Sequence, residues 1–277
     1  MTDARQFLGM AEVDGPLRWR MEVVPEVTTP GNFLFGGCGL GAALVALEAA
    51  SGRPTVWATA QYLAFAPTGS TLDLAVTLAA EGHRVTQARA VGRVGDKEIL
   101  TVNAALGGPG DLDAEGVWDA PPAVPPPGEC PPRRLPDQFT TSIFDQIEVR
   151  QASGRTFDEI ARSEGVPGEP VSALWARVPG QLEPSAATLA VLGDYVTGGV
   201  AQPLGRRVFS RSLDNTLRVV RLEPTEWVLC DIRIQALAHG YGQGTAFLWS
   251  EAGTLLATAS QSMSIRYAPP MVPPARS

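Results

Sequence analysis

The residues of this sequence with a chemical use are polar side chains that interrupt apolar patterns. In the last predicted strand, alternate residues form one face: Leu255, Ala257, Ala259, Gln261, Met263, Ile265 and Tyr267. Alternation places the Gln261 amide among core side chains, where an unpaired amide costs ~1–3 kcal/mol. Gln261 is therefore either a structural amide bonded to neighbouring backbone or a site residue. Asp214 and Gln235 lie on the more polar rows of their strands, and this pattern alone predicts surface positions for both.

A glycine-rich segment opens the most apolar stretch of the chain. Residues 37–42, GCGLGA, match G-x-G-x-x-A, a form of the dinucleotide fingerprint. That fingerprint needs a βαβ unit and an acid at the end of the next strand, whereas TVWATAQYLAF ends without one. The simpler interpretation is that the glycines let a helix start approach another backbone closely. Free N–H groups at a helix start also attract a developing negative charge, so the segment has a chemical use.

Conventional catalytic and metal-binding sets are scarce. The only two histidines, His83 and His239, each stand beside a turn glycine, which predicts exposed turn positions. The sequence lacks the G-x-S-x-G elbow of serine hydrolases. Three cysteines (Cys38, Cys130 and Cys230) form neither an even disulfide set nor a zinc-ligand spacing. We therefore expect no metal, no cofactor and a cytoplasmic protein.

Composition narrows the class of partner. Of the 277 residues, 44% are hydrophobic and 18% are charged, which is typical of a globular protein. The net charge of −7 argues against a nucleic-acid partner, which would require a basic face. No apolar run reaches the ~18 residues of a membrane helix, and the first ten residues lack the apolar core of a signal peptide.

The elements that must position these residues occur in two similar series. A proline-rich segment at 108–137 separates residues 1–107 from 138–268, and 269–277 reads as a tail. In each half a strand and an apolar helix precede several strands. The predicted strands are 17–23, 55–65, 72–80, 85–94 and 99–106, then 171–178, 208–222, 227–238, 244–249 and 254–267; the predicted helices are 36–51 and one that opens at Pro184.

The order of elements predicts an internal duplication. The turn glycines Gly82 and Gly95 correspond to Gly240 and Gly253 at an offset of 158 residues, and that offset aligns Gln261 with Asn103. A helix followed by antiparallel strands is typical of the α+β class, with the helix packed on a sheet face.

Several sequence strings, in this order, resemble the type II acyl-CoA thioesterase family. They are FGG before an alanine-rich helix, SLDN at 212–215, WVLCDIRIQ from residue 227, and GTLLATASQSMSIR near the end. The resemblance covers nearly the whole chain. It implies a tandem hotdog fold, in which two antiparallel sheets are each wrapped on a central helix, and it implies hydrolysis of a fatty acyl-CoA to free acid and CoA.

The resemblance also implies a set of site residues. In the family an aspartate, a threonine and a glutamine hold the attacking water; these positions match Asp214, Gln235 and Gln261 here. Gln235 departs from threonine, Asn215 replaces a usual histidine, and Cys38 replaces a common glutamine. Backbone N–H groups of Gly36 and Gly37 would polarise the thioester carbonyl.

A single site is expected, because the offset gives the first half no acidic counterpart of Asp214. Basic residues of the loop at 206–211 would suit the phosphates of CoA.

Two other functions remain open on the sequence. The departures at Gln235, Asn215 and Cys38 would also suit an acyl-thioester binding protein without turnover. A hotdog hydratase would need a histidine–acid pair, and neither histidine lies near a predicted site residue. Hotdog proteins commonly assemble further, so the resemblance also allows a homo-oligomer.

Overall fold

The computed structural model describes residues 3–112, 114–133, 141–180 and 184–268. Thirteen strands in these ranges form one antiparallel sheet. The strands are β1 Met10–Glu12, β2 Arg18–Glu22, β3 Thr55–Tyr62, β4 Thr71–Glu81, β5 Val85–Val94, β6 Lys97–Gly107, β7 Glu148–Ser153, β8 Val171–Arg177, β9 Val208–Ser212, β10 Asp214–Val219, β11 Val228–Ala238, β12 Tyr241–Ser250 and β13 Leu255–Tyr267. The α-helices are α1 Ala4–Phe7, α2 Gly36–Ser51, α3 Ile143–Gln146, α4 Phe157–Arg162, α5 Ala186–Leu192, α6 Val196–Gly199 and α7 Ala201–Leu204.

The sheet is continuous across the two halves of the chain. Its order is β1-β2-β4-β5-β6-β3-β10-β13-β12-β11-β8-β7, with β9 pairing β13 beside β10. The resemblance implied two antiparallel sheets, each wrapped on a central helix; the structure joins the strands of both halves edge to edge in one sheet. Antiparallel pairing of β3 with β10 joins the halves, because each strand would otherwise present an edge of unpaired backbone groups.

One helix from each half packs on its own strands. Helix α2 contacts β3, β4, β5 and β6, while α6 contacts β11, β12 and β13. Helices α2 and α5 also pack on each other, and one apolar cluster contains buried residues from both halves. The predicted close approach at the glycines is confirmed: a Cβ on Gly37 would lie 2.8 Å from the carbonyl oxygen of Ala190.

The central helix of the second half is broken rather than continuous. Helix α5 ends before a 3₁₀ turn, Gly193–Tyr195, in which Asp194 has non-helical angles (φ −82°, ψ 17°), and α6 resumes at Val196. The sequence predicted one helix through this point. Its backbone bends here, and the break turns Asp194 toward α2.

The predicted strand at 208–222 is also divided, into β9 and β10. The break falls at Leu213, where β13 changes partner from β9 to β10. Leu213 stays in the ladder, because its N–H donates to the carbonyl of Ser262 at 2.8 Å.

Residues 124–133 of the proline-rich segment pack over the second half. Trp175 donates its Nε1–H to the carbonyl of Pro125 at 2.9 Å, and Cys130 and Val124 pack beside Trp227. These contacts form a second apolar cluster on the outer side of the sheet. None of the helices in the described ranges is both long and apolar enough to cross a bilayer.

Strand registers relate the two halves about the β3–β10 seam. Thr59 pairs with Thr216, and their hydroxyls lie 2.8 Å apart although 157 residues separate them. Thr59 also pairs with Asn103, and Thr216 with Ser260, so the same separation of 157 relates Asn103 to Ser260. The offset of 158, which aligned Asn103 with Gln261, was therefore wrong at the seam. β-Bulges explain the difference of one residue. Each bulge inserts an extra residue into a strand, so the offset that relates the turns need not equal the offset that relates the strand centres.

Candidate active site

Gln261 lies at the centre of the site. It stands on β13, facing the helices, with 2% of its surface exposed. Its Nε2 donates to the carboxylate of Asp194 and, at 3.4 Å, to the hydroxyl of Ser212. The partners of the Gln261 amide are therefore side chains, not the neighbouring backbone that a structural amide was expected to bind, and its role as a site residue stays a prediction.

Asp194 is the carboxylate that holds the cluster together, and sequence reasoning missed it. Its Oδ2 accepts the N–H of Gly37 at 2.7 Å, and its Oδ1 accepts from Gln261 and from Asn215 Nδ2, the latter at 3.3 Å. The side chain is only 4% exposed. A sequence signal existed, since Asp194 is the single acid in the apolar stretch 186–200.

Burial and hydrogen bonding oppose each other in setting the charge of Asp194. Burial raises its pKa to about 7, while hydrogen bonds from Gln261, Gly37 and Asn215 act to lower it. The N-terminus of α2 also favours a negative charge at this position. The carboxyl group is therefore poised to change charge near neutral pH.

Three buried polar atoms beside Asp194 have no hydrogen-bond partner among the described residues. They are the Tyr62 hydroxyl, Asn215 Oδ1 and Gln261 Oε1. Buried polar atoms of folded proteins are nearly always paired with protein or water, so this cluster is suited to receive water or a polar ligand. The Tyr62 hydroxyl is 3.1 Å from the place that a Cβ on Gly36 would occupy, so any larger residue at Gly36 would crowd it.

The N–H groups of Gly36 and Gly37, the two glycines predicted to polarise the substrate carbonyl, differ in their hydrogen bonding. The Gly37 N–H is already engaged by Asp194. The N–H of Gly36, the first residue of α2, donates to no acceptor in the part of the chain that the structure describes. The two glycines thus contribute one occupied donor and one available donor.

Asp214 stands at the rim of the same cluster. It opens β10 beside Asn215, is half-buried, and its Oδ1 accepts the N–H of Ser262 at 2.8 Å. Burial raises the pKa of Tyr62 well above its ordinary value and the charges of Asp194 and Asp214 add to that rise, while the neighbouring side chain of Asn215 acts to lower it. The structure therefore brings Asp214 close to Tyr62, but shows no contact between Asp214 and the Gln261 side chain.

Gln235 is not brought into the cluster. It is exposed and occupies a β-bulge on β11, between Ile234 and Ala236. Ile234 pairs with Gly244, which pairs with Gln261, so Gln235 lies about two strand spacings, ~10 Å, from Gln261. Its role in the site stays a prediction.

The other sequence expectations have simple outcomes. His83 and His239 are exposed, His239 with φ 55° in the β11–β12 turn, so their predicted turn positions are confirmed. All three cysteines are free and buried. Burial, with a contribution from Asp194, raises the pKa of the Cys38 thiol well above its ordinary value. Across the described ranges, no three His, Cys, Asp or Glu side chains cluster as metal ligands.

The repeat explains why this cluster occurs once. At the separation of 157 residues, Gly37 corresponds to Asp194, and these two residues meet across the seam. Ala58 and Ala104 stand where Asn215 and Gln261 stand in the second half. The first half therefore carries none of the three polar side chains and faces the cluster with glycine and alanine.

Comparison with known proteins gives this arrangement a family. Residues 127–265 match the model of the acyl-CoA thioesterase C-terminal domain. A protein of Novosphingobium aromaticivorans DSM 12444 assigned as a thioesterase is 33% identical, with 91% of this chain and 96% of that chain covered and a TM-score of 0.80. No curated protein matched the chain.

More distant structures agree on the fold. A hotdog-fold protein of Alicyclobacillus acidocaldarius is 21% identical over 97% of this chain and 100% of its own, with a TM-score of 0.79. The acyl-CoA thioesterase II TesB2 of Mycobacterium marinum is 20% identical over 96% of this chain and 99% of its own, with a TM-score of 0.73. The chain has the hotdog fold and belongs to the acyl-CoA thioesterase family.

Proposed function

We propose that this protein hydrolyses acyl-CoA thioesters to a free acid and CoA. The observation that carries the proposal is the buried cluster at the start of α2, where Asp194, Gln261 and Asn215 meet beside three unpaired polar atoms. We further propose a tandem hotdog in which residues 1–107 and 138–268 are the two units and 108–137 link them; the predicted tail, 269–277, lies outside the described residues.

The reaction needs an oriented water and a base to take its proton. A thioester carbonyl is already electrophilic, so no covalent nucleophile is required. Asp214 suits the role of base, because it is half-buried and only one of its oxygens accepts a hydrogen bond from the described residues. General base catalysis of this kind contributes ~10²–10⁴-fold.

Asp194 suits a positioning role better than that of base. Both of its oxygens already accept hydrogen bonds, and burial keeps them from bulk water. By accepting from Nε2, the Asp194 carboxylate leaves Gln261 Oε1 directed elsewhere as a free acceptor for the attacking water. Gln235, the third residue that the resemblance implies, is proposed to hydrogen-bond at the exposed mouth of the site.

The oxyanion that forms on attack needs donors. The N–H of Gly36 and the hydroxyl of Tyr62 are adjacent and both lack an acceptor among the described residues. We propose this pair as the oxyanion site, with Gly37 holding Asp194 in place. Loss of one such donor typically lowers kcat by ~10²–10³-fold, so Tyr62→Phe should show a decrease of that order.

Thiol release from a panel of acyl-CoAs tests the function, with variants of each carboxylate. Asp214→Asn should lower kcat at least ~100-fold, and Gln235→Ala should show whether the exposed amide contributes. Asp73→Asn is the matched control, because Asp73 is exposed and only pairs with Arg20 at 2.9 Å; its kcat should stay within about twofold of wild type. Undiminished hydrolysis by Asp214→Asn would exclude Asp214 as the base.

One observation favours a second function, acyl-thioester binding without turnover. The Gly37 N–H already donates to Asp194 and is not available to a substrate carbonyl. Gln235 is exposed and lies outside the cluster, so two of the expected site groups are not in place for catalysis. Calorimetric binding of acyl-CoA without thiol release at any chain length would support this alternative. Measurable turnover that depends on Asp214 would eliminate it.

A further inference from the structure

A groove outside the cluster lies in the first half of the chain, between the residues that precede α2 and those that follow β3. Its volume is about 500 Å³, within the range of small-molecule sites, and it is lined mainly by apolar residues. The lining residues are Gly31, Asn32, Phe33, Phe65, Pro67, Val94, Lys97 and Ile99. The rings of Phe33 and Phe65 lie 4.4 Å apart and form an aromatic wall, and Phe65 is 46% exposed.

The groove is preformed and close to the proposed thioester position. Backbone hydrogen bonds tie its two walls together, from Leu34 to Ala66 at 2.8 Å and from Thr68 to Asn32 at 3.0 Å. Phe33 precedes Gly36 by three residues, and Phe65 follows Tyr62 by three. Three extended residues span at most ~11 Å, so the backbone of Phe33 and Phe65 lies within ~11 Å of the backbone of Gly36 and Tyr62, the proposed oxyanion donors.

Two cations flank the groove, and neither has an ion-pair partner among the described residues. Lys97 lines it directly and is the only lysine of the chain. Arg211, from β9 of the second half, places its guanidinium 4.4 Å from the centre of the Phe65 ring. Of the two acids adjacent to Lys97 in the sequence, Glu98 is paired with Arg93 at 2.7 Å, and Asp96 forms no ion pair with Lys97. The groove therefore combines an aromatic wall with two free positive charges, in a chain whose net charge is −7.

We propose that this groove binds the nucleotide end of the CoA substrate. Aromatic rings stack with purine bases, and lysine and arginine pair with phosphate oxygens, so the walls and the charges match the adenine and the phosphates of one ligand. The proposal rests on the proposed function, because the thioester must reach Gly36 and Tyr62 while the nucleotide lies at Phe33 and Phe65. It assigns Lys97 and Arg211 to substrate binding and leaves hydrolysis to the cluster.

Labelling of the single lysine tests the groove without requiring turnover. The full-length protein is treated with an amine-selective reagent, and modification of Lys97 is measured by peptide mass spectrometry, which separates it from the N-terminal amine. Saturating CoA should slow Lys97 labelling at least about fivefold, whereas pantetheine, which lacks the nucleotide, should leave it unchanged. Equal protection by pantetheine, or no protection by CoA, would overturn the proposal.

Kinetics provide an independent readout. Lys97→Gln and Arg211→Gln should each raise KM for acyl-CoA about tenfold, the loss typical of one charge-assisted contact, and should change KM for acyl-pantetheine far less. Arg18→Gln on β2 removes the same charge from an exposed residue outside the groove and should change neither value. Equal effects of the groove variants on both substrates would refute nucleotide binding. If wild type hydrolyses neither substrate, the proposed function fails, and CoA protection of Lys97 still decides whether the groove binds the nucleotide.

Discussion

At the scale of single residues, the site depends on one buried acid that three donors hold in place. No helix or strand periodicity identifies Asp194 as a site residue, yet it accepts hydrogen bonds from Gly37, Asn215 and Gln261. Gln261 could be singled out from the sequence because it breaks an apolar row of a strand. Asp194 also interrupts an apolar stretch, but its partners from both halves become visible only when the chain is folded.

Asp194 should make the protein less stable as the pH rises from about 4 to 7. Its pKa is raised from 3.8 to about 7 on folding, so within this window the folded state holds a proton that the unfolded state has released. Folding stability should therefore fall with pH, by at most ~1.4 kcal/mol per unit, and then level off above 7. Urea unfolding of wild type and Asp194→Asn at pH 5 and pH 8 measures this, and the variant should lack the decrease. The same decrease in both proteins would assign it to another group.

The rate of hydrolysis should show the same ionisation. If ionised Asp194 positions Gln261, kcat should rise as the pH passes about 7. Asp194→Asn should have a lower kcat, and its profile should be flat between pH 6 and 8. Retention of the rise in that variant would show that Asp194 does not set it.

At the scale of elements, the first turn of α2 must approach α5 without side chains in between. This contact places the Gly37 N–H within 2.7 Å of Asp194. The helix and most strands could be predicted, since glycines, apolar spacing and alternation mark them. The break at Asp194 could not, because the preceding residues Ala186–Leu192 are apolar except for Thr188 and form helix by the same pattern.

Gly37→Ala should therefore destabilise the fold and the site together. An added Cβ would lie 2.8 Å from both the carbonyl oxygen of Ala190 and the Cα of Val191, so backbone must move. We expect a loss of ~1–3 kcal/mol in the free energy of unfolding and a fall in kcat as the Asp194 contact lengthens. Gly108→Ala is the control, because a Cβ there meets nothing within 4 Å. Equal midpoints for the two variants in urea unfolding would contradict the close approach.

At the scale of the whole molecule, the two halves share one sheet and one apolar core. The β3–β10 pairing and the α2–α5 contact cross between them, and the site lies on this seam. Two repeats that the sequence presents as successive units therefore form a single structure. The two halves differ because equivalent positions of the repeat carry different residues. The clearest example is Asp194, which is equivalent to Gly37.

The chain should consequently unfold in one cooperative transition. Hydrogen exchange followed by peptide mass spectrometry in increasing urea should show protection lost at one midpoint in β4–β5 peptides and in β11–β12 peptides. Gly37→Ala should lower both midpoints equally, because it disrupts a contact between the halves. Separate midpoints would show that each half is stable alone and that the seam contributes little.

The sequence by itself determined the repeat, the helix–strand order, the family and the burial of Gln261, since periodicity, turns and short motifs are local properties. Only the tertiary structure decided that the halves join at β3 and β10, that Asp194 and Tyr62 lie in the same cluster as Gln261, and that Gln235 lies on an exposed bulge. The reason is that these facts depend on pairs of residues far apart in the chain. The Gly37–Asp194 bond spans 157 residues, and no local pattern on either side records its partner.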